Sequence, residues 1–195
     1  MRGYIYAIGQ ALALFPLAAG LFTLPYLFHH RVRYGAWSSW RLPVVYSLLG
    51  YLLCAYCLVI FPLPTAAQAA ALEGHPAQLI PLACVGDMLR DGVAVRTTLL
   101  NLLLTLPFGV YLRGYFRCGW GRTAAACFLL SLFFELTQLT GLYFLYPGSY
   151  RIFDVDDLLV NTAGGLAGYL LASLATRLRP GRAELVIHGL ARGMG

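Results

Sequence analysis

Only 11% of the 195 residues are charged, whereas 59% are hydrophobic, and the mean hydropathy is +0.70. A soluble domain carries about 25% charged residues, so this composition excludes a soluble globule and indicates a chain embedded in lipid. The net charge of +6 comes from arginines that stand at segment ends rather than on one face, which also excludes nucleic acid as a partner.

Five apolar stretches follow one another along the chain, and each is long enough or nearly long enough to cross a bilayer as a helix. They are Tyr4–Phe28, Leu42–Leu63, Thr97–Leu112, Thr123–Tyr146 and Leu158–Thr176. No linker or internal repeat is visible between them. The sequence therefore predicts an all-α fold, a polytopic transmembrane bundle of about five helices, forming a single membrane domain over residues 1–195.

The first and third stretches are the least typical spans. Tyr4–Phe28 is longer than the apolar core of a signal peptide and only Arg2 precedes it, which favours a retained helix over a cleaved leader; a cleaved leader would leave four spans. Thr97–Leu112 is short, and Arg96 and Arg113 at its two ends are expected to reach the interfaces by snorkelling.

The connections between the predicted spans alternate in charge. The first and third connections and the C-terminal tail are rich in arginine, whereas the second and fourth connections are net negative. Under the positive-inside rule the basic connections face the cytoplasm. The sequence therefore predicts an N-terminus outside, a C-terminus in the cytoplasm, and a location in the bacterial cytoplasmic (inner) membrane. The second connection is also expected to hold a short helix along the outer interface.

Polar side chains occur in the outer half of the last three spans. Glu135 and Gln138 share a helix face, and Asn161 lies one turn after Asp157. A carboxyl group within a span usually faces the interior of the bundle and indicates a function. The predicted functional cluster consists of Asn101, Glu135, Gln138, Arg151, Asp154, Asp157 and Asn161. The alternative interpretation is that these groups only hold the helices together, with Glu135 protonated.

Small residues in the same spans predict close helix packing. Gly164, Gly165 and Gly168 lie on the last span, and the spacing Gly164-x-x-x-Gly168 is typical of helices that approach each other closely. Pro107 and Gly109 predict a kink in the third span. The cysteines and histidines show no spacing that indicates a metal site.

Three segments, in this order, resemble the VanZ-like family of small polytopic bacterial membrane proteins. They are Asn101-Leu-Leu-Leu-Thr-Leu-Pro107-Phe-Gly109, similar to N-x-x-x-F-x-P-x-G; Ser131-Leu-Phe-Phe-Glu135-Leu-Thr-Gln138, similar to S-x-x-x-E-x-x-Q; and Arg151-x-x-Asp154-x-Asp156-Asp157-x-x-x-Asn161-Thr162-x-Gly164, similar to R-x-x-D-x-x-D-x-x-x-N-T-x-G. With a related feature at Ala77–Leu82, the resemblance covers about residues 77–172. The chain departs from the pattern at Leu104-Thr105-Leu106, where an aromatic residue commonly precedes the proline.

The resemblance implies a membrane fold and a role in the cell envelope, because the family takes its name from a protein associated with low-level resistance to teicoplanin. Most members have no assigned reaction, and the resemblance names no cofactor. The expected partners are membrane lipids. The polar cluster would then engage a lipid head group, a lipid-linked envelope intermediate or an amphiphilic antibiotic, with Arg151 pairing with phosphate and the carboxylates with amines.

Three other functions are consistent with the same residues. Asp154, Asp157 and Glu135 offer oxygen ligands for a divalent cation in an intramembrane enzyme that acts on a lipid-linked head group. Glu135 would be the titrating group of a proton or small-solute carrier, although five spans without inverted repeats argue against this function. The remaining interpretation is a purely structural membrane partner.

Overall fold

The computed structural model describes residues 2–34, 42–61, 63, 67, 77–145, 149 and 151–178. Within these residues, five helices are long and apolar enough to cross a membrane. They are α1 (Arg2–Tyr34), α2 (Leu42–Ile60), α4 (Gly92–Gly114), α5 (Trp120–Leu139) and α6 (Val155–Leu178), and a short helix α3 (Ala83–Met88) precedes α4. The described part of the chain contains no β-strand. The prediction of an all-α fold with about five transmembrane helices is therefore confirmed, and the protein is a multi-pass membrane protein.

Helix α4 is longer than the apolar run that predicts it. It begins at Gly92 because the side chain of Asp91 accepts a hydrogen bond of 2.9 Å from the backbone N–H of Val93, which caps the helix. Its 23 residues correspond to about 34 Å of helix, enough to cross the hydrocarbon core. The Nε atom of Arg113, near the other end, donates to the Ser173 hydroxyl on α6 at 3.0 Å.

Helix α5 ends at Leu139, before the end of the predicted fourth span. It is followed by a short left-handed turn, Gly141–Phe144, in which every residue has a positive φ. The Thr140 hydroxyl accepts a hydrogen bond of 3.2 Å from the N–H of Tyr143 inside this turn. A left-handed backbone does not continue a right-handed helix, so the apolar run extends further than the helix does.

Helix α1 covers the beginning of the first connection predicted from sequence. Helix α1 continues through His29, His30 and Arg31 to Tyr34, so these basic residues extend the helix rather than form a loop. Arg41 and the basic tail from residue 179 onward lie outside the described residues.

The chain divides into two compact units. The first comprises Met1–Gly74 and Thr137–Arg151. In it α1 packs on α2 around the buried residues Ala7, Ala11 and Cys57. The organisation as one membrane domain over residues 1–195 stays a prediction.

The second unit comprises His75–Leu136 and Ile152–Gly195, and its centre is the contact between α4 and α6. Glycines let these two backbones touch. A Cβ atom on Gly109 would lie 1.8 Å from the carbonyl oxygen of Gly165, and a Cβ atom on Gly168 would lie 2.0 Å from that of Leu106. The contact brings side chains on the facing surfaces within hydrogen-bonding distance.

Two more predicted packing residues lie at this contact. A Cβ atom on Gly164 would lie 2.2 Å from the carbonyl oxygen of Leu102, so Gly164 also faces α4. Gly165 makes room for α5 as well, because a Cβ atom there would lie 2.1 Å from the Sγ atom of Cys127. Pro107 lies inside α4 without ending the helix.

Candidate functional site

Matching polar side chains on α4 and α6 form the first part of the site, within the second unit. The side-chain Nδ2 of Asn101 donates to the Oδ1 atom of Asp157. One turn further along both helices, the Thr105 hydroxyl donates to the backbone carbonyl of Asn161 at 2.6 Å. Asn101 and Thr105 are four residues apart on α4, and Asp157 and Asn161 are four residues apart on α6. This spacing places the two residues of each helix on one face. These two hydrogen bonds therefore cross the contact between α4 and α6, in addition to that of Arg113 with Ser173.

Helix α5 joins this network through Ser131, which is fully buried. The Ser131 hydroxyl donates to the backbone carbonyl of Asp157 at 3.2 Å and accepts from the Nδ2 atom of Asn161 at 2.8 Å. A serine hydroxyl has one hydrogen to donate. Since that hydrogen goes to Asp157, the amide nitrogen rather than the amide oxygen of Asn161 faces Ser131.

The remaining polar atom of Asn161 has no partner. The side chain is 5% exposed, and its Oδ1 atom is the buried side-chain atom in the described part of the chain that receives no hydrogen bond. A buried acceptor left unpaired costs about 1–3 kcal/mol. The network therefore contains one open hydrogen-bond acceptor next to Asp157 and Ser131.

Glu135 lies one turn after Ser131 on α5 and is 5% exposed. Its Oε2 atom accepts a hydrogen bond of 3.2 Å from the backbone N–H of Asp154, immediately before α6. The Asp154 carboxylate accepts a hydrogen bond of 2.8 Å from the N–H of Asp156. Burial raises the pKa of Asp154; the N–H of Asp156 lowers it, while the negative charges of Asp156 and Asp87 raise it further.

Asp156 was not among the predicted site residues, yet it is the most buried described acid, at 2% exposure. Its two carboxylate oxygens accept hydrogen bonds from the backbone N–H groups of Leu82 and of Cys84, the latter at 2.7 Å. Leu82 has a φ of 65° and precedes α3. Asp156 thus ties the start of α3 to the first turn of α6. The only sequence signal for this residue was the density of acids around it.

Gln138 and Arg151 belong to the first unit. The Nε2 atom of Gln138 donates to the backbone carbonyl of Val59 on α2 at 3.0 Å. The backbone carbonyl of Gln138 accepts from the Ser149 hydroxyl at 3.3 Å. Arg151 is exposed, and its backbone carbonyl shares the single hydrogen of the Ser149 hydroxyl with the backbone carbonyl of Gln138. Of the seven predicted site residues, five therefore lie in the second unit: Asn101, Glu135, Asp154, Asp157 and Asn161.

The site is rich in hydrogen-bond acceptors. Glu135, Asp154 and Asp157 carry carboxyl groups, and Asn161 carries the unpaired amide oxygen. Two residues absent from the prediction, Thr105 and Ser131, complete the site. Each stands four residues from a predicted member, Asn101 or Glu135, so the helical i,i+4 spacing was the signal that identifies them. Among the described residues, no group of three or more His, Cys, Asp and Glu side chains is placed to hold a metal ion.

Comparison with known proteins covers all of the residues that form the site. A family model described as VanZ/LLP1 matches residues 48–176, which is well over half of the chain and includes the three motifs that resemble the VanZ-like family. No curated protein and no solved structure matches the chain. The family resemblance is thereby confirmed, and the chain belongs to the VanZ/LLP1 family.

Proposed function

We propose that the protein acts in the bacterial cell envelope by binding the polar head group of an amphiphile. The ligand is a lipid, a lipid-linked wall intermediate or an amphiphilic antibiotic. In this proposal the binding site lies in the outer half of the cytoplasmic membrane. The alternating charge of the connections supports this placement under the positive-inside rule. The Asn101–Asp157 end of the network then lies on the outer side.

The observation that carries this proposal is the unpaired Oδ1 atom of Asn161. A polar network that serves only to hold helices together gains most when each buried group is paired. Here Asn101, Thr105 and Ser131 each donate a hydrogen bond across a helix contact, and one acceptor stays open. This acceptor is buried as well as unpaired, so an amine, hydroxyl or amide of a head group that reached it would supply the missing donor.

The charge of the site supports the same class of ligand. Glu135, Asp154 and Asp157 contribute carboxyl groups to the same site, and amines pair well with such groups. Metal-assisted catalysis on a lipid-linked head group stays the alternative proposal; among the described residues no group of three or more His, Cys, Asp and Glu side chains is placed to hold a metal ion.

Glu135→Gln is expected to abolish function while the protein still inserts and accumulates. The glutamine keeps an oxygen that accepts the N–H of Asp154, so the local fold persists, whereas the ionisable group is lost. The measurement is complementation of a gene deletion, scored as sensitivity to teicoplanin and to envelope stress, with membrane levels followed by immunoblot. Rescue is expected to fall to the level of the empty vector. Asp157→Asn is expected to behave in the same way.

The matched control is Asp91→Asn, which removes a carboxylate from the exposed start of α4, away from the network. This variant is expected to complement the gene deletion as fully as the wild-type protein does. Full rescue by Glu135→Gln and Asp157→Asn would contradict the proposal and leave the network as helix packing alone.

A further inference from the structure

The segment Gln78–Leu89, which leads into α4, has many of its backbone polar groups hydrogen-bonded within the protein. The backbone N–H of Gln78 donates to the carbonyl of Phe153 at 2.8 Å, and its carbonyl accepts from the N–H of Val155 at 3.0 Å. The side-chain Nε2 atom of Gln78 donates to the carbonyl of Ile80 at 2.8 Å, and its Oε1 atom accepts from the N–H of Ile80 at 3.0 Å. Four hydrogen bonds thus involve this one glutamine.

The next backbone groups of the segment are also paired. Asp156 accepts from the N–H groups of Leu82 and Cys84. The N–H of Val85 donates to the carbonyl of Leu82 at 3.1 Å, and the N–H of Leu89 donates to the carbonyl of Val85 at 3.3 Å. Irregular backbone enters lipid only when its polar groups are satisfied within the protein, and this segment largely meets that condition.

The apolar side chains of the same segment face away from the protein. Leu79 is 65% exposed, Ile80 is 70% exposed and Leu89 is 86% exposed, and Leu82 and Val85 are exposed as well. A connection that lies in water usually has the opposite arrangement, with apolar groups turned inward and polar groups outward. Exposed apolar side chains grouped in one connection indicate contact with a partner or a membrane. Asp87 of the same segment is exposed too, which fits the polar interface of a membrane rather than its hydrocarbon core.

The position of the segment identifies the partner. Asp156 ties it to the first turn of α6, and Asp91 caps α4 directly after it. Both helices cross the membrane, so the segment lies where they enter the lipid. Further along, Val93 and Leu99 on the membrane-spanning helix α4 are 67% and 53% exposed. We propose that Gln78–Leu89 is immersed in the membrane interface, with Leu79, Ile80 and Leu89 in contact with acyl chains. This proposal does not depend on the ligand of the polar cluster.

Spin labels on single cysteines test this placement in lipid vesicles. The background carries alanine at the partly exposed Cys54, Cys84 and Cys118, and keeps Cys57 and Cys127, which are 0% exposed. Labels are introduced by Leu79→Cys or Leu89→Cys, and the protein is reconstituted in phosphatidylcholine vesicles. Collision of each label with oxygen, which concentrates in lipid, is compared with collision with a water-soluble nickel chelate.

Two further labelled variants calibrate the measurement. Leu103→Cys lies on the lipid-facing side of α4, where the native side chain is 56% exposed, and Arg117→Cys lies in the exposed connection after α4. Labels at Leu79 and Leu89 are expected to show an oxygen-to-nickel ratio that matches Leu103 and exceeds Arg117. A ratio equal to that at Arg117 would show that the segment lies in water and would overturn the proposal. Low collision with both reagents would show a protein partner or a second copy instead, which would overturn it equally.

Discussion

Gly109→Ala is expected to destabilise the second unit by roughly 2–3 kcal/mol, at the upper end of the cost of adding a methyl group to a packed interior. The added Cβ atom would lie 1.8 Å from the backbone carbonyl oxygen of Gly165 and 2.7 Å from the carbonyl carbon. Backbone of a helix does not rotate away as a side chain does, so α4 and α6 have to move apart. The hydrogen bond of Thr105 to Asn161 across the same contact would lengthen with them. The measurement is the free energy of unfolding in mixed micelles with increasing denaturing detergent.

The same helix offers the control. Gly114 ends α4, and a Cβ atom placed there meets no atom within 4 Å. Alanine is favoured over glycine in helices by about 1 kcal/mol at interior positions and by less at an end. Gly114→Ala is therefore expected to leave stability unchanged or slightly raised. Equal destabilisation by the two variants would contradict the close backbone contact between α4 and α6.

Asp156→Ala is expected to cost about 3 kcal/mol of the free energy of unfolding, because it leaves two N–H groups without the acceptor that the buried Asp156 carboxyl group provides. Those groups belong to Leu82 and Cys84, and each lost bond to a charged acceptor contributes about 1.5–3 kcal/mol. Hydrogen exchange gives a local measurement beside global unfolding. The amides of Leu82 and Cys84 are expected to exchange faster in the variant, whereas amides in the middle of α4 keep their protection.

Asp91→Ala provides the comparison, since Asp91 also accepts a backbone N–H but at one exposed helix start. Loss of such a cap costs about 1 kcal/mol. Asp156→Asn, which keeps one acceptor oxygen, is expected to fall between the two. If Asp156→Ala were no more costly than Asp91→Ala, Asp156 would not anchor α3 to α6.

The class of the protein and the number of its long helices followed from composition and the length of apolar runs, because lipid leaves few ways to satisfy a backbone. The helix ends did not follow. Helix α4 starts at Gly92 because Asp91 caps it, and α5 stops at Leu139 because the backbone turns left-handed from Gly141. Hydropathy does not register either event, since both depend on local hydrogen bonds and backbone angles.

Helical periodicity in the sequence predicts which residues of the candidate site share a helix face, but not which residues of different helices meet. The spacing of Asp157 and Asn161 places them on one face, but which atoms meet Asn101 depends on how closely α4 and α6 approach. The function of Asp156 was missed because its partners lie 72 and 74 residues away in the sequence. No local pattern encodes a bond between an acid and the backbone of a distant connection.

The long sequence separation of these contacts has a consequence for how the protein is made. Asn101 and Ser131 enter the membrane on helices that are synthesised before α6, and their partners Asp157 and Asn161 arrive only with α6. Until then, the α4–α5 portion of a nascent chain presents polar side chains to lipid or to the insertion machinery. A chain that stops before α6 would keep those groups exposed, and it would be recognisable to membrane proteases as unfinished.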